Sequence, residues 1–264
     1  MSVLLCVVGG LVEGVTQLGE VIYIVCDESS AIIRFNARTQ QQLADITVKG
    51  LRQPEDIAAC QQTAQLYIAD AAACVWRVSS DSEDVERLLP KSPSDTISPY
   101  ALSVTSSRLL VTSQRTNQLS QFDAVGDELR QVDLPDDMKP LHSMESPTGT
   151  FIVIHFRQLN KWHVSEVDTG GQVLRQFSGS RLHLRPLSSI QHVAVDSQGN
   201  ILVADYHAGR ILLLDSQLTL RRVIIDEHQL NYKGPWRLCY SEQSGQLLVG
   251  LFGFDVAVFD VLRR

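Results

Sequence analysis

A short apolar strand ending in a polar or small residue recurs along this chain at nearly constant spacing, and that recurrence limits the possible folds more than any other feature. It runs through Val21–Asp27, Leu66–Asp70, Leu109–Ser113, Phe151–His155, Ile201–Asp205 and Leu247–Gly250. The terminal residues 27, 70, 113, 155, 205 and 250 are separated by 43, 43, 42, 50 and 45 residues. Self-similarity at a fixed period of this length marks a repeat architecture. Each copy has the same order: an apolar strand, a polar turn such as Asp196-Ser197-Gln198-Gly199-Asn200, the anchor strand, a second polar turn, and a strand of period-two alternation such as Val75-Trp76-Arg77-Val78. A weaker fourth strand, such as Leu220–Ile225, closes most units. Alternating strands bounded by Gly, Asn, Asp and Ser turns argue for an all-β chain. The polar stretch Asp81–Thr96 reads as an excursion between strands.

Four strands per repeat of this length predict a β-propeller, and six copies predict six blades. Length alone would allow two domains, but the repeat occupies residues 1–264 as a single domain. The last copy has only three strands before Arg264, and the spare strand Val3–Val8 is expected to supply its fourth. Closing the ring in this way leaves no blade face exposed, because each blade buries its apolar surface only against its neighbours. The same N-terminal stretch lacks a preceding Lys or Arg and is too short to span a bilayer, so it reads as a strand rather than a leader or anchor.

Two of the repeats resemble NHL repeats. Val193-Ala194-Val195-Asp196-Ser197-Gln198-Gly199-Asn200-Ile201-Leu202-Val203-Ala204-Asp205, continuing to Arg210-Ile211, carries the better likeness. Pro54–Ala58 leading to Ala69-Asp70 and Val75–Val78 carries the other. The remaining four copies lack the Asp anchor or the Gly turn, and the Gly-His and Trp-Asp dipeptides of WD repeats are absent. The resemblance implies a six-bladed propeller like those of tripartite-motif ubiquitin ligases, which recruit protein partners or RNA. No RING, B-box or coiled-coil segment occurs in these 264 residues. Similar propellers include metal-dependent amidating lyases and lactonases, so fold alone does not decide function.

The first strand of each blade lines a propeller's channel, and the residues just before it, between the preceding blade and this strand, are expected to ring one mouth. These are Glu13, Glu55 and Asp56, Tyr100, His142 and Ser143, Gln191 and His192, and Trp236 and Arg237. Convergent polar groups beside aromatics at a concave mouth suit ligand binding. The expected partner-binding set is Glu55, Asp56, Tyr100, His142, His192, Trp236 and Arg237. The recurring Asp27, Asp70 and Asp205 are expected to hold turns together.

The first functional expectation is a non-catalytic module binding a protein or peptide at this mouth, with the NHL resemblance implying substrate recruitment for a ubiquitin ligase. No nucleophile elbow, phosphate loop or metalloprotease motif is visible, so no catalytic residue, cofactor or metal is assigned. The second reading is a metal-dependent enzyme, in which His142 and His192 join Glu13, Glu55 or Asp56 around a divalent cation. The third is RNA binding through Arg175, Arg181, His183, Arg185, Arg221 and Arg222. A net charge of −7 and 6% aromatic residues disfavour it, as they disfavour an anionic membrane. Five cysteines without close pairing fit buried free thiols, and a monomeric cytoplasmic protein is expected.

Overall fold

Buried aliphatic runs flanked by polar turns fold here into strands throughout. The computed structural model describes residues 2–7, 10–80, 84–92, 97–157, 161–179 and 186–261. Their 24 strands form six four-stranded antiparallel sheets, the blades of a β-propeller. Blade 1 comprises β2 (Val12–Leu18), β3 (Val21–Cys26), β4 (Ala31–Asn36) and β5 (Ile46–Thr47). Blade 2 comprises β6 (Pro54–Cys60), β7 (Gln65–Asp70), β8 (Cys74–Ser79) and β9 (Val85–Leu89). Blade 3 comprises β10 (Ala101–Thr105), β11 (Arg108–Ser113), β12 (Gln118–Phe122) and β13 (Glu128–Asp133). Blade 4 comprises β14 (Lys139–Glu145), β15 (Phe151–Arg157), β16 (Lys161–Val167) and β17 (Val173–Phe177). Blade 5 comprises β18 (Ile190–Val195), β19 (Ile201–Asp205), β20 (Arg210–Leu214) and β21 (Leu220–Ile225). Blade 6 comprises β22 (Pro235–Ser241), β23 (Gln246–Leu251), β24 (Asp255–Asp260) and β1 (Ser2–Cys6).

The ring therefore closes as expected. β1 pairs antiparallel with β24 from Ser2↔Phe259 to Cys6↔Asp255, and the Val7 N–H donates to Phe254 O. Leu5 and Val7 turn inward and pack with Val256 and Val258 of blade 6 against Ile22, Ile24 and Ile33 of blade 1. Among the described residues every pair of neighbouring blades shares such an apolar cluster. The core is thus distributed between blades, and the second strands are its main contributors: β19 is buried at every position.

Outer strands have the opposite character. β13 and β17 are exposed along most of their length, which suits edge strands that must not recruit further chains. For the same reason the expectation for 81–96 needs correction. Its middle forms β9, whose Glu86 and Arg87 face solvent while Leu88 and Leu89 turn inward, so its polarity marks an edge strand. Residues 81–83 and 93–96 lie outside the described ones. The thiols also divide: Cys26, Cys60 and Cys74 are buried, Cys239 is half-buried, and Cys6 is exposed because β1 is an outer strand.

The two Asp anchors of the clearest repeats hold their turns. Buried Asp70 accepts the Arg52, Gln53 and Ala72 N–H groups and Trp76 Nε1–H. Buried Asp205 accepts from the Ser188 and Ser189 N–H groups and pairs with Arg210. Asp27 is not their equivalent: Cys26 pairs with Val12, where Asp70 pairs with Pro54, so the first anchor lies one residue earlier than the repeat suggests.

Candidate functional site

Five of the six inner strands carry a β-bulge at the same point. The register shifts between Val12 and Gly14, Pro54 and Asp56, Pro140 and His142, Ile190 and His192, and Pro235 and Arg237. The extra residues are Glu13, Glu55, Leu141, Gln191 and Trp236. In blade 3, Tyr100 sits just outside β10 and its N–H donates to Thr112 O. A bulge re-aims the side chains on either side of it. The mouth set therefore separates into two levels. Glu13, Glu55, Tyr100, Gln191 and Trp236 are half-buried at the rim, with Leu141 buried. One residue further along, Gly14, Asp56, Ala101, His142, His192 and Arg237 stand at equivalent positions, and the four polar ones are buried.

That inner ring ties blades together. Neighbouring blades share no backbone ladder, so contacts between inner strands depend on side chains. Asp56 accepts its own strand's Ile57 N–H and, across to blade 3, the Leu102 N–H, both at 2.9 Å. His142 Nε2–H donates to Leu102 O from the other side, at 3.2 Å. His192 Nδ1 accepts the Leu238 N–H of blade 6 at 3.4 Å. Arg237 donates through Nε to Glu13 O, and through Nη2 to Glu13 Oε2 at 3.1 Å and Glu55 O at 3.0 Å. It also lies over the Trp236 ring, 5.0 Å from the centroid, while Trp236 Nε1–H donates to Glu13 Oε2 at 3.2 Å.

Burial governs the charges. It holds the His142 and His192 imidazoles well below their ordinary pKa, so both rings are neutral. Their centroids are 3.6 Å apart with a 31° tilt. Burial raises the carboxyl pKa of Asp56, Glu13 and Glu55, opposed at Asp56 first by His142 and at Glu13 first by Arg237.

Asp56, His142 and His192 are the one described group whose ligand atoms gather closely enough for a cation, all within 4.8 Å. The tautomers decide how well they fit. His142 gives its Nε2 proton to Leu102 O and keeps Nδ1 as a free lone pair. His192 receives a proton at Nδ1, so its own proton sits on Nε2, 3.8 Å from Asp56 Oδ2. A metal on His192 Nε2 would require loss of the Leu238 bond. As arranged, the trio serves the strands.

At the rim, Trp236 belongs to a feature that the mouth register contains only in part. Tyr206, Trp236 and Phe252 pack edge to face with centroids 5.4–5.6 Å apart. Phe252 is 48% exposed, Phe254 in the same turn 56%, and Tyr232 in the loop leading to β22 71%. Gly234 passes so close to the Tyr206 ring that a Cβ would lie 2.2 Å from it. The sequence signal is positional: Phe156, Tyr206 and Phe252 each immediately follow the second-strand residue that pairs just before the bulge, His155 with Pro140, Asp205 with Ile190 and Leu251 with Pro235. Of the basic group, Arg175 pairs with Glu166 and Arg221 with Asp215, while Arg181, His183 and Arg185 lie outside the described residues.

No family model matches the chain, and no curated protein matches it in sequence. Solved structures do share its fold. A streptogramin B lyase superposes with a TM-score of 0.68 at 9% identity, covering 98% of this chain and 96% of that one. A catalytically inactive virginiamycin B lyase from Staphylococcus aureus, solved with quinupristin, gives 0.66 at 12% identity, covering 95% and 80%. Hydrazine synthase from Kuenenia stuttgartiensis gives 0.60 at 16% identity, covering 91% and 73%. At these identities the likeness is one of fold.

Proposed function

We propose that this propeller is a protein-interaction module that takes a peptide segment on the rim of blades 5 and 6. The observation that carries this reading is the Tyr206–Trp236–Phe252 cluster, flanked by exposed Phe254 and Tyr232. Clustered exposed aromatics are the usual anchors of an interface. Glu55 at the rim, and exposed Asp226 and Glu227 in the loop before β22, add negative charge. A peptide with an aromatic or aliphatic anchor beside a Lys or Arg complements that surface. The link to substrate recruitment by a ubiquitin ligase rests on the NHL resemblance of two repeats.

The test is affinity capture from a peptide library displaying such segments, comparing the native chain with Trp236→Ala and Phe252→Ala. An anchor of the usual strength is worth about 2 kcal/mol or more, a loss of roughly 30-fold. Unchanged capture by both folded variants would remove the rim from consideration.

The second reading is a metal-dependent enzyme. Closeness of Asp56, His142 and His192 favours it, and the names of two structural neighbours are those of lyases. The hydrogen bonds that occupy these side chains weigh against it. Elemental analysis of purified protein, with a melting curve before and after chelation, separates the two: bound Zn²⁺ or Ca²⁺ whose removal lowers Tm supports the enzyme.

A further inference from the structure

The outermost strand of a blade leaves half of its backbone groups without a neighbouring strand, and such an edge recruits other chains unless the sequence prevents it. Among the described residues five of the six outer strands are protected. β5 is only two residues long, and Glu86 and Arg87 in β9, Arg130 in β13, Arg175 in β17 and Arg221 in β21 are exposed charges. β1 has neither device. Its five residues, Ser2–Cys6, include no charge and no proline. Leu4 is 43% exposed, and Cys6, two residues along on the same face, is exposed as well. Among the described residues no strand pairs with its outer side.

The ladder defines which backbone groups face outward. Val7 N–H donates to Phe254 O, one step beyond the pair Cys6↔Asp255. In an antiparallel pair, residues that exchange hydrogen bonds alternate with residues that do not. Val3, Leu5 and Val7 therefore turn their N–H and C=O groups toward β24. Ser2, Leu4 and Cys6 turn theirs away, as a row of three donors and three acceptors on the open edge.

We propose that this edge pairs with β1 of a second copy of the chain, antiparallel about a two-fold axis at Leu4. A strand whose outward residues are 2, 4 and 6 is its own complement in that register. Leu4 stands opposite Leu4 of the partner subunit, and Ser2 stands opposite Cys6 of the partner subunit at either end. Each copy's three donors then meet the other's three acceptors. A contact of this self-complementary kind closes at a dimer, and it joins the two blade 6 sheets into one of eight strands. Charge favours a like partner here. Two chains of net charge −7 repel over most of their surface, but β1 brings them together on neutral side chains with leucine against leucine. A dimer thus replaces the monomer expected from the sequence.

The experiment is light scattering on the full chain across about 1–500 µM, a range that brackets the weak association of so small an interface. Reducing conditions keep the exposed Cys6 thiol from linking chains. The mass is expected to rise from 29.3 kDa toward twice that value. Leu4→Lys sets like charges opposite each other on the axis and should weaken association at least about tenfold. Leu4→Pro removes an outward N–H and no bond to β24, so it should give a monomer with a nearly unchanged Tm. Amide exchange of the native chain needs no substitution. The Leu4 and Cys6 amides should be protected at high concentration and exchange freely on dilution, while those of Leu5 and Val7 stay protected throughout. A mass fixed at 29.3 kDa or growing beyond the dimer, a dimer unaffected in both folded Leu4 variants, or freely exchanging Leu4 and Cys6 amides at high concentration would overturn the proposal. Trp236→Ala should dimerise like the native chain, so this edge and the rim can fail independently.

Discussion

Replacing Arg237 by Met tests whether the inner ring is a set of clamps or a reserve of binding groups. Arg237 is 4% exposed and spans three blades: it belongs to blade 6, holds Glu13 in blade 1 and reaches Glu55 O in blade 2. Methionine keeps much of the length and apolar stem but removes every donor. Glu13 O and Glu55 O lose their donor, and the Glu13 carboxylate loses the cation that opposes its desolvation. Removing one partner of a buried charge pair costs about 3–5 kcal/mol. For a domain of this size each kcal/mol shifts Tm by about 2–4 °C, so the expected fall is roughly 6–20 °C. Urea denaturation at constant m-value gives the free-energy change directly. Arg237→Lys should lose nearly as much, because a point charge cannot reproduce a fork of donors aimed at three acceptors. A loss below about 1 kcal/mol for Met, at unchanged m, would refute the clamp. It would mean that the guanidinium is available to a partner.

Stability should fall as pH drops from about 6.5 to 5. Burial lowers the pKa of His142, His192 and His163 in the folded protein and pushes His155 down to about 3. The unfolded chain then binds more protons in that window, at up to about 1.4 kcal/mol per pH unit for each histidine. Denaturation midpoints from pH 8 to 5 check this, and a flat profile contradicts it. Deleting residues 1–9 exposes β24 and removes buried Leu5 and Val7, each worth about 1.5–3 kcal/mol, beside the ladder itself. Against a total stability of about 5–15 kcal/mol, the product should be largely unfolded or aggregated by circular dichroism and light scattering. Asp70→Ala strands several buried donors at about 1–3 kcal/mol each, whereas Asp27→Ala, outside that slot, should be nearly neutral in the same melts.

The blades were legible because their second strands are buried on both faces and read as unbroken aliphatic runs. Fourth strands such as β9 were harder, since an edge strand is held by backbone bonds while its side chains face water. Register placed Asp56, His142, His192 and Arg237 at equivalent points, and the fold puts them there. Their burial was not legible, because it depends on a bulge that adds a residue without altering the apolar pattern on either side. That bulge explains why Glu13, expected beside them, is a rim residue while Gly14 takes the ring position. A Cβ on Gly14 would stand 2.7 Å from Ile57 N, so this blade has no room for a ring side chain. Trp236 and Phe252 meet through the pairing of β22 with β23, while Tyr206, at the end of a blade 5 strand, joins them only because blade 5 packs on blade 6.

The distribution of clamps has a further consequence. Blades 1 and 3 place Gly14 and Ala101 in the ring, and both are gripped by neighbours: blade 1 by Arg237, blade 3 by Asp56 and His142 on the two sides of Leu102. Blades 4 and 5 both contribute a histidine, and each uses its ring to hold the blade on its far side. What lies between them at this level is the His142–His192 stack. Two neutral imidazoles 3.6 Å apart are compatible; two imidazolium ions are not. The seam between blades 4 and 5 is therefore where acid should first loosen the ring. Hydrogen exchange at pH 5 should show protection falling earlier in β14 and β18 than in β10, which is held from both sides. With the ring's polar atoms largely occupied in this way, the groups left for a partner at this mouth are the rim aromatics above.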